Sequence, residues 1–247
     1  MHYPMTSLAL IAITFILAGM VKGMIGMGLP TVGMALLAPV MGPAESVALL
    51  VLPTLVTNVW QLVAGPRFLY LLRRFGTLVA GLFVGSFFGV RLLADPDLAS
   101  ILLGAVLAAY GVLGLSRARF SVPDRWERRL SPVTGIVTGV LYGSTGLAVT
   151  AVPYVNSLRL DKDALIQTLG LTFAVCSFGM ALGLVAAGRF QTTVAGTSVL
   201  ALLPAFAGMM IGQRLRERMN ADTFRRYFFL SICALGIYMV WHTLAKG

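Results

Sequence analysis

Charge is scarce in this chain. Of 247 residues only 11% are Asp, Glu, Lys or Arg, and nine carboxylates stand against nineteen lysines and arginines. Histidine is scarcer still, with His2 and His242 near the two ends. Without a central histidine no helix-borne general base is evident, and no H-E-x-x-H or Walker A sequence is there to hold zinc or nucleotide phosphates. The stretch YGSTG, Tyr142 to Gly146, sets a serine between glycines but is not the G-x-S-x-G of a nucleophile elbow. An enzyme or an ATP-driven pump is therefore not expected, and no cofactor or metal is assigned. The two cysteines, Cys176 and Cys233, lie in apolar stretches, where a thiol behaves as a small hydrophobe.

What fills the chain instead is apolar sequence. Hydrophobic residues make up 58% of it, and its mean hydropathy of +0.88 lies outside the balance of a soluble domain. Several runs reach the roughly 20 residues a helix needs to cross a bilayer, and none alternates like a barrel strand. The expected fold class is an all-α polytopic membrane protein. The first run has neither a basic start nor a small-residue cleavage site, so it is expected to stay in the mature chain. The net charge of +10 sits in short connections, which points to loops facing a lipid bilayer and not to nucleic acid.

Apolar runs cover residues 5–41, 44–64, 74–94, 98–116, 132–158, 163–187, 192–213 and 223–244. The most polar connection, RARFSVPDRWERR from Arg117 to Arg129, divides the chain into a first membrane repeat (1–116), a basic connecting loop (117–130) and a second membrane repeat (131–247). Two echoes support the division. GSFFGVR at Gly85–Arg91 matches GMMIGQR at Gly208–Arg214, and GMVKGMIGMG from Gly19 matches GIVTGVLYGS from Gly135.

The first run of each half is anomalous. Met5 to Met41 is about twice the length of one crossing and is interrupted by Gly23, Gly26, Gly28 and Pro30. Its counterpart is broken at Gly143, Gly146 and Pro153. If each first run crosses once, the basic loop residues divide almost evenly between the two sides of the membrane. If each returns to its own side as a hairpin, all but Arg91, Arg189 and Lys246 fall on one side, as the positive-inside rule requires. The hairpin reading puts both termini outside, gives each half an odd number of crossings and makes the halves inverted repeats.

Irregular backbone at membrane depth must be buried in protein or line a polar cavity, so the two hairpin tips are expected to meet near the midplane. Free N–H groups at half-helix N-termini there would favour anions. Lys22 is the one charged residue placed inside a membrane run, while all nine carboxylates fall at or beyond run ends. Either its missing counter-ion is the substrate, or Lys22 snorkels to an interface or sits in a shallower loop. Candidate substrate-binding residues are Lys22, Gly23, Gly26 and Gly28 at the first tip and Tyr142, Gly143, Ser144 and Thr145 at the second. Thr54 and Asn58, with Gln61, share one helix face in the first half, and Gln167 and Thr172, with Thr168, hold the comparable place in the second. Each of these either faces the substrate or bonds to a neighbouring helix. The G-x-x-x-G pairs Gly81/Gly85/Gly89 and Gly208/Gly212 allow close helix packing, within the protomer or in a homodimer. Trp60, Tyr70 and Trp241 suit an aromatic belt.

The broken first run GMVKGMIGMGLP, the second run beginning PAESVALLVLP, the GSFFGVRLL ending of the third, the basic central loop and the repetition of the whole resemble the sulfite exporter TauE/SafE family. The chain departs from the usual adjacent glycines, since Met27 separates Gly26 from Gly28. The resemblance implies a secondary transporter that moves small anions such as sulfite, sulfonates or sulfoacetate outward across a bacterial inner membrane. The alternative is a non-transporting membrane assembly or lipid-binding protein whose glycine-rich runs serve packing alone.

Overall fold

The computed structural model describes residues 5–25, 28–63, 65–115, 123–158, 160–188, 192–216 and 221–245. Among the described residues there is no strand. The helices are α1 (Met5–Ile25), α2 (Leu29–Met41), α3 (Pro43–Val63), α4 (Phe68–Arg74), α5 (Gly76–Gly89), a 3-10 turn at Val90–Ala94, α6 (Pro96–Leu115), α7 (Asp124–Thr145), α8 (Ala151–Asn156), α9 (Lys162–Ala186), α10 (Thr192–Leu200), α11 (Leu202–Arg216) and α12 (Ala221–Leu244). Six stretches are long and apolar enough to cross a membrane: Ser7–Met24, Pro43–Val63, Gly76–Ala94, Pro96–Leu113, Ala164–Ala186 and Val194–Leu215. The chain is an all-α polytopic membrane protein, as its composition requires.

Local chemistry sets several boundaries. The Asp161 carboxylate accepts the Ala164 N–H at 3.0 Å and starts α9. Asp95 does the same for α6, accepting from the N–H groups of Asp97 and Leu98, each at 3.0 Å. Two features differ from the sequence expectation. The short α4 occupies what reads as a loop, and α7 begins at Asp124, so the end of the basic connection is helical.

The chain forms two compact units, Met1–Pro53 with Leu93–Arg117 and Phe190–Gly247, and Thr54–Leu92 with Ala118–Arg189. In the first unit α1 packs along α11, α6 along α12, and α2 against α1. In the second, α5 packs against both α7 and α9, and α8 against α7 and α9. The division at the basic loop concerns the sequence repeat, and the compact units cut across it.

Within each unit the same kind of pair forms the spine. α1 meets α11 through Gly19 and Gly23 facing the backbone of Ala205 and Met209, and through Gly208 and Gly212 facing the backbone of Ile16 and Met20. α5 meets α7 through Gly81, Gly85 and Gly89 on one side and Gly135, Gly139 and Gly143 on the other. A methyl group added at Gly139 would stand 2.8 Å from Ser86 N, and one at Gly81 would stand 2.7 Å from the Pro132 carbonyl oxygen. Lipid tails are as apolar as leucine, so such helices associate by close packing, and only small residues let the backbones approach this far. The G-x-x-x-G faces are thus used inside the protomer. In both units a first run of one half is paired with a third run of the other.

In each first run a glycine in the left-handed region marks the break: Gly28, at φ 116°, precedes α2, and Gly146, at φ 74°, ends α7. These two are the true breaks. Gly23 and Gly143, expected among the interruptions, stay helical within α1 and α7, because their missing side chains serve the helix crossings. Pro30 lies in the first turn of α2, where its absent N–H has no intrahelical partner to lose. Gly26 lies outside the described residues. Past Gly146 the chain turns back alongside α7. The hydroxyls of Thr138 and Thr150 are hydrogen-bonded, and further on the Tyr154 hydroxyl meets Ser131 Oγ at 2.9 Å and donates to the Glu127 carbonyl at 3.2 Å. Growing sequence separation along one helix is the signature of an antiparallel return.

Candidate substrate-binding residues

Lys22 sits in the last turn of α1, one turn ahead of the break. Only 6% of it is exposed, and it lies within a helix and not in a loop. A cation in the last helical turn is favoured by the partial negative charge of the helix C-terminus. Gly28, also buried, precedes α2, and its carbonyl accepts the Val32 N–H at 2.9 Å. Gly23 belongs to the crossing with α11.

The remaining candidates lie in the second unit. Thr54 and Asn58 are buried on α3, one turn apart. Tyr142, completely buried on α7, shares a 2.7 Å hydrogen bond with Ser177 on α9. Sequence reasoning did not single out Ser177; its signal is its place five residues beyond Thr172 on the same buried helix. Thr172 is buried on α9 as well, and Gly143 is enclosed where α7 crosses α5.

Several candidate side chains commit their protons to the backbone. Ser144 Oγ donates to the carbonyls of Val140 and Leu141, at 3.0 and 3.1 Å, and Thr145 Oγ1 donates to Leu141 at 2.6 Å while accepting the Leu147 N–H at 3.2 Å. These bonds finish α7 at the break. Thr168 likewise donates to Ala164 at 2.7 Å. Gln167 uses its whole amide. Nε2 donates to the carbonyls of Leu62 at 2.8 Å and Gly65 at 2.7 Å, and Oε1 accepts the Arg67 N–H at 3.1 Å. It closes the C-terminal end of α3, where helix carbonyls lack internal partners.

Near the start of α7, Arg74 forms a two-pronged ion pair with the buried Glu127, at 3.0 and 2.8 Å. The hydrogen bond to Glu127 raises the Arg74 guanidinium above its ordinary value. Since that value already exceeds about 12, the arginine is charged at every working pH. Arg67 and Asp161 form a second, exposed pair. Trp60, Tyr70 and Trp241 are exposed, as an aromatic belt requires.

The first unit thus holds a buried lysine ahead of a helix break, and the second holds a break finished by hydroxyls. The family model for the sulfite exporter TauE/SafE matches residues 11–239. The chain belongs to the sulfite exporter TauE/SafE family. It is a multi-pass membrane protein of an anion-exporting family of transporters, not an enzyme. Comparison with curated proteins and with solved structures found no match. Membership accounts for the repeated broken first runs, since discontinuous helices are how many transporters supply polar backbone at membrane depth.

Proposed function

We propose that this chain is a secondary transporter exporting small sulfur-containing or organic anions, of the sulfite, sulfonate and sulfoacetate type, across a bacterial inner membrane. In this reading the breaks of both first runs contribute to the anion path, the halves are inverted repeats, and both termini lie outside. The observation that carries it is the burial of Lys22 at the end of an apolar crossing helix, directly before a break, in a member of an anion-exporter family. A positive charge held beside a break in an apolar helix attracts a transported anion to that point. Gly28, Thr54, Asn58, Tyr142 and Thr172 are the further residues assigned to the path.

A membrane potential negative inside favours anion exit by roughly 2.3 kcal/mol per charge per 100 mV, so electrogenic uniport suffices for export. The test is thermal stabilisation of the purified protein by sulfite, sulfate, sulfoacetate, taurine and acetate, run in parallel on Lys22→Ala. A ligand of the folded state raises the melting temperature. A shift with a sulfur oxyanion that the variant loses supports the reading, and no shift with any anion overturns it. Efflux from liposomes that ignores an imposed potential would sink the uniport step.

A further inference from the structure

Among the described residues, Thr54 Oγ1 is a buried side-chain oxygen with no hydrogen-bond partner, on a residue only 1% exposed. A buried hydroxyl without a partner is rare and demands a reason. A threonine within a helix has an easy one available, donation to the carbonyl four residues back, and Thr168 does this to Ala164. Thr54 does not do it to Leu50.

The neighbourhood makes the omission pointed. Pro53, the preceding residue, has no N–H, and this frees the Leu49 carbonyl within α3. That carbonyl is met by Ser198 Oγ from α10 at 2.7 Å. The next turn is also served, since Thr57 Oγ1 donates to the Thr54 carbonyl at 3.2 Å. The fold answers these polar groups around the proline and leaves the Thr54 hydroxyl open. Just past the end of α3, Arg67 meets Asp161 and Gly65 meets Gln167, and within α3 Leu62 meets Gly170.

We infer that the Thr54 hydroxyl donates a hydrogen bond to an oxygen of the transported anion, its proton kept uncommitted for that purpose. This rests on the anion-export reading above and gives Thr54, already assigned to the path, a specific bond to the substrate. The ligand class is a small anion with exposed oxygens, sulfite or a sulfonate. The hydroxyl holds the anion without adding charge, which suits a substrate that must also leave.

The experiment compares wild type with Thr54→Val, Thr54→Ala and Thr54→Ser, measuring melting temperature with and without sulfite and sulfoacetate, and KM for efflux from liposomes. Valine keeps the shape and removes the unpartnered hydroxyl. The Val variant is expected to match or exceed the melting temperature of anion-free wild type, to lose the anion-induced shift and to show a KM raised roughly tenfold or more, the effect of losing a hydrogen bond to a charged partner. Serine is expected to restore the response. If wild type responds and the Val variant responds equally, the inference falls and the export reading stands. If wild type responds to no anion, both fall. If Val and Ala each prevent folding, the hydroxyl is structural and the inference is overturned.

Discussion

Ser198 Oγ donates to the Leu49 carbonyl at 2.7 Å, and Leu49 is the residue whose helical partner Pro53 cannot supply an N–H. A proline in mid-helix inside a membrane survives when another group satisfies the carbonyl it frees. Ser198→Ala is therefore expected to destabilise the protein by about 1 kcal/mol. Pro53→Ala restores the N–H, so in that background the same serine change is expected to have little effect. A double-mutant cycle read by thermal unfolding checks it, and additivity of the two changes would refute the relationship.

Gln167 joins the end of α3 to the start of α9 with three hydrogen bonds. Gln167→Leu leaves two carbonyls and one N–H unmet and is expected to lower stability by about 2 kcal/mol. Because both its N–H groups are already engaged, the melting-temperature shift caused by anion should persist in this variant. Loss of that shift with normal stability would make Gln167 a ligand-binding residue.

The glycines divide into two classes with opposite expectations. Gly139 and Gly212 face the backbone of a crossing helix, and Gly139→Ala or Gly212→Ala forces the spine apart, destabilising by about 1–3 kcal/mol. Gly196, on α10, has nothing within 4 Å of where a methyl group would stand. Gly196→Ala is expected to be stabilising by up to about 1 kcal/mol through helix propensity. Yield and melting temperature of the three variants decide it, and equal effects would remove the crossing argument.

Much of the architecture was legible because the bilayer is a demanding solvent. Runs such as 44–64 and 163–187 correspond closely to α3 and α9, since a chain in lipid must satisfy every backbone group within its own helices. The short α4 was not legible, because seven residues between charged neighbours carry no clear periodicity. Nor was the difference between Gly23, which packs, and Gly28, which turns. Both read simply as glycine in a glycine-rich run.

The polar candidates show the same limit. Thr54, Gln167 and Thr168 look alike in sequence, each a hydrogen-bonding residue in an apolar run. Their partners separate them: Gln167 closes the end of a helix, Thr168 bonds to its own backbone, and Thr54 is left open. Ser198 carries no local signal, because the carbonyl it satisfies lies far away along the chain.

By itself the sequence determined that this protein is helical and multi-pass and that its first runs are broken, because hydropathy and glycine placement act over a few turns of chain. Only the tertiary structure decided which glycines face another backbone and which hydroxyls are answered. Those outcomes depend on the approach of helices distant in sequence, α1 to α11 and α5 to α7, and on the few tenths of an ångström that separate a made hydrogen bond from an open one.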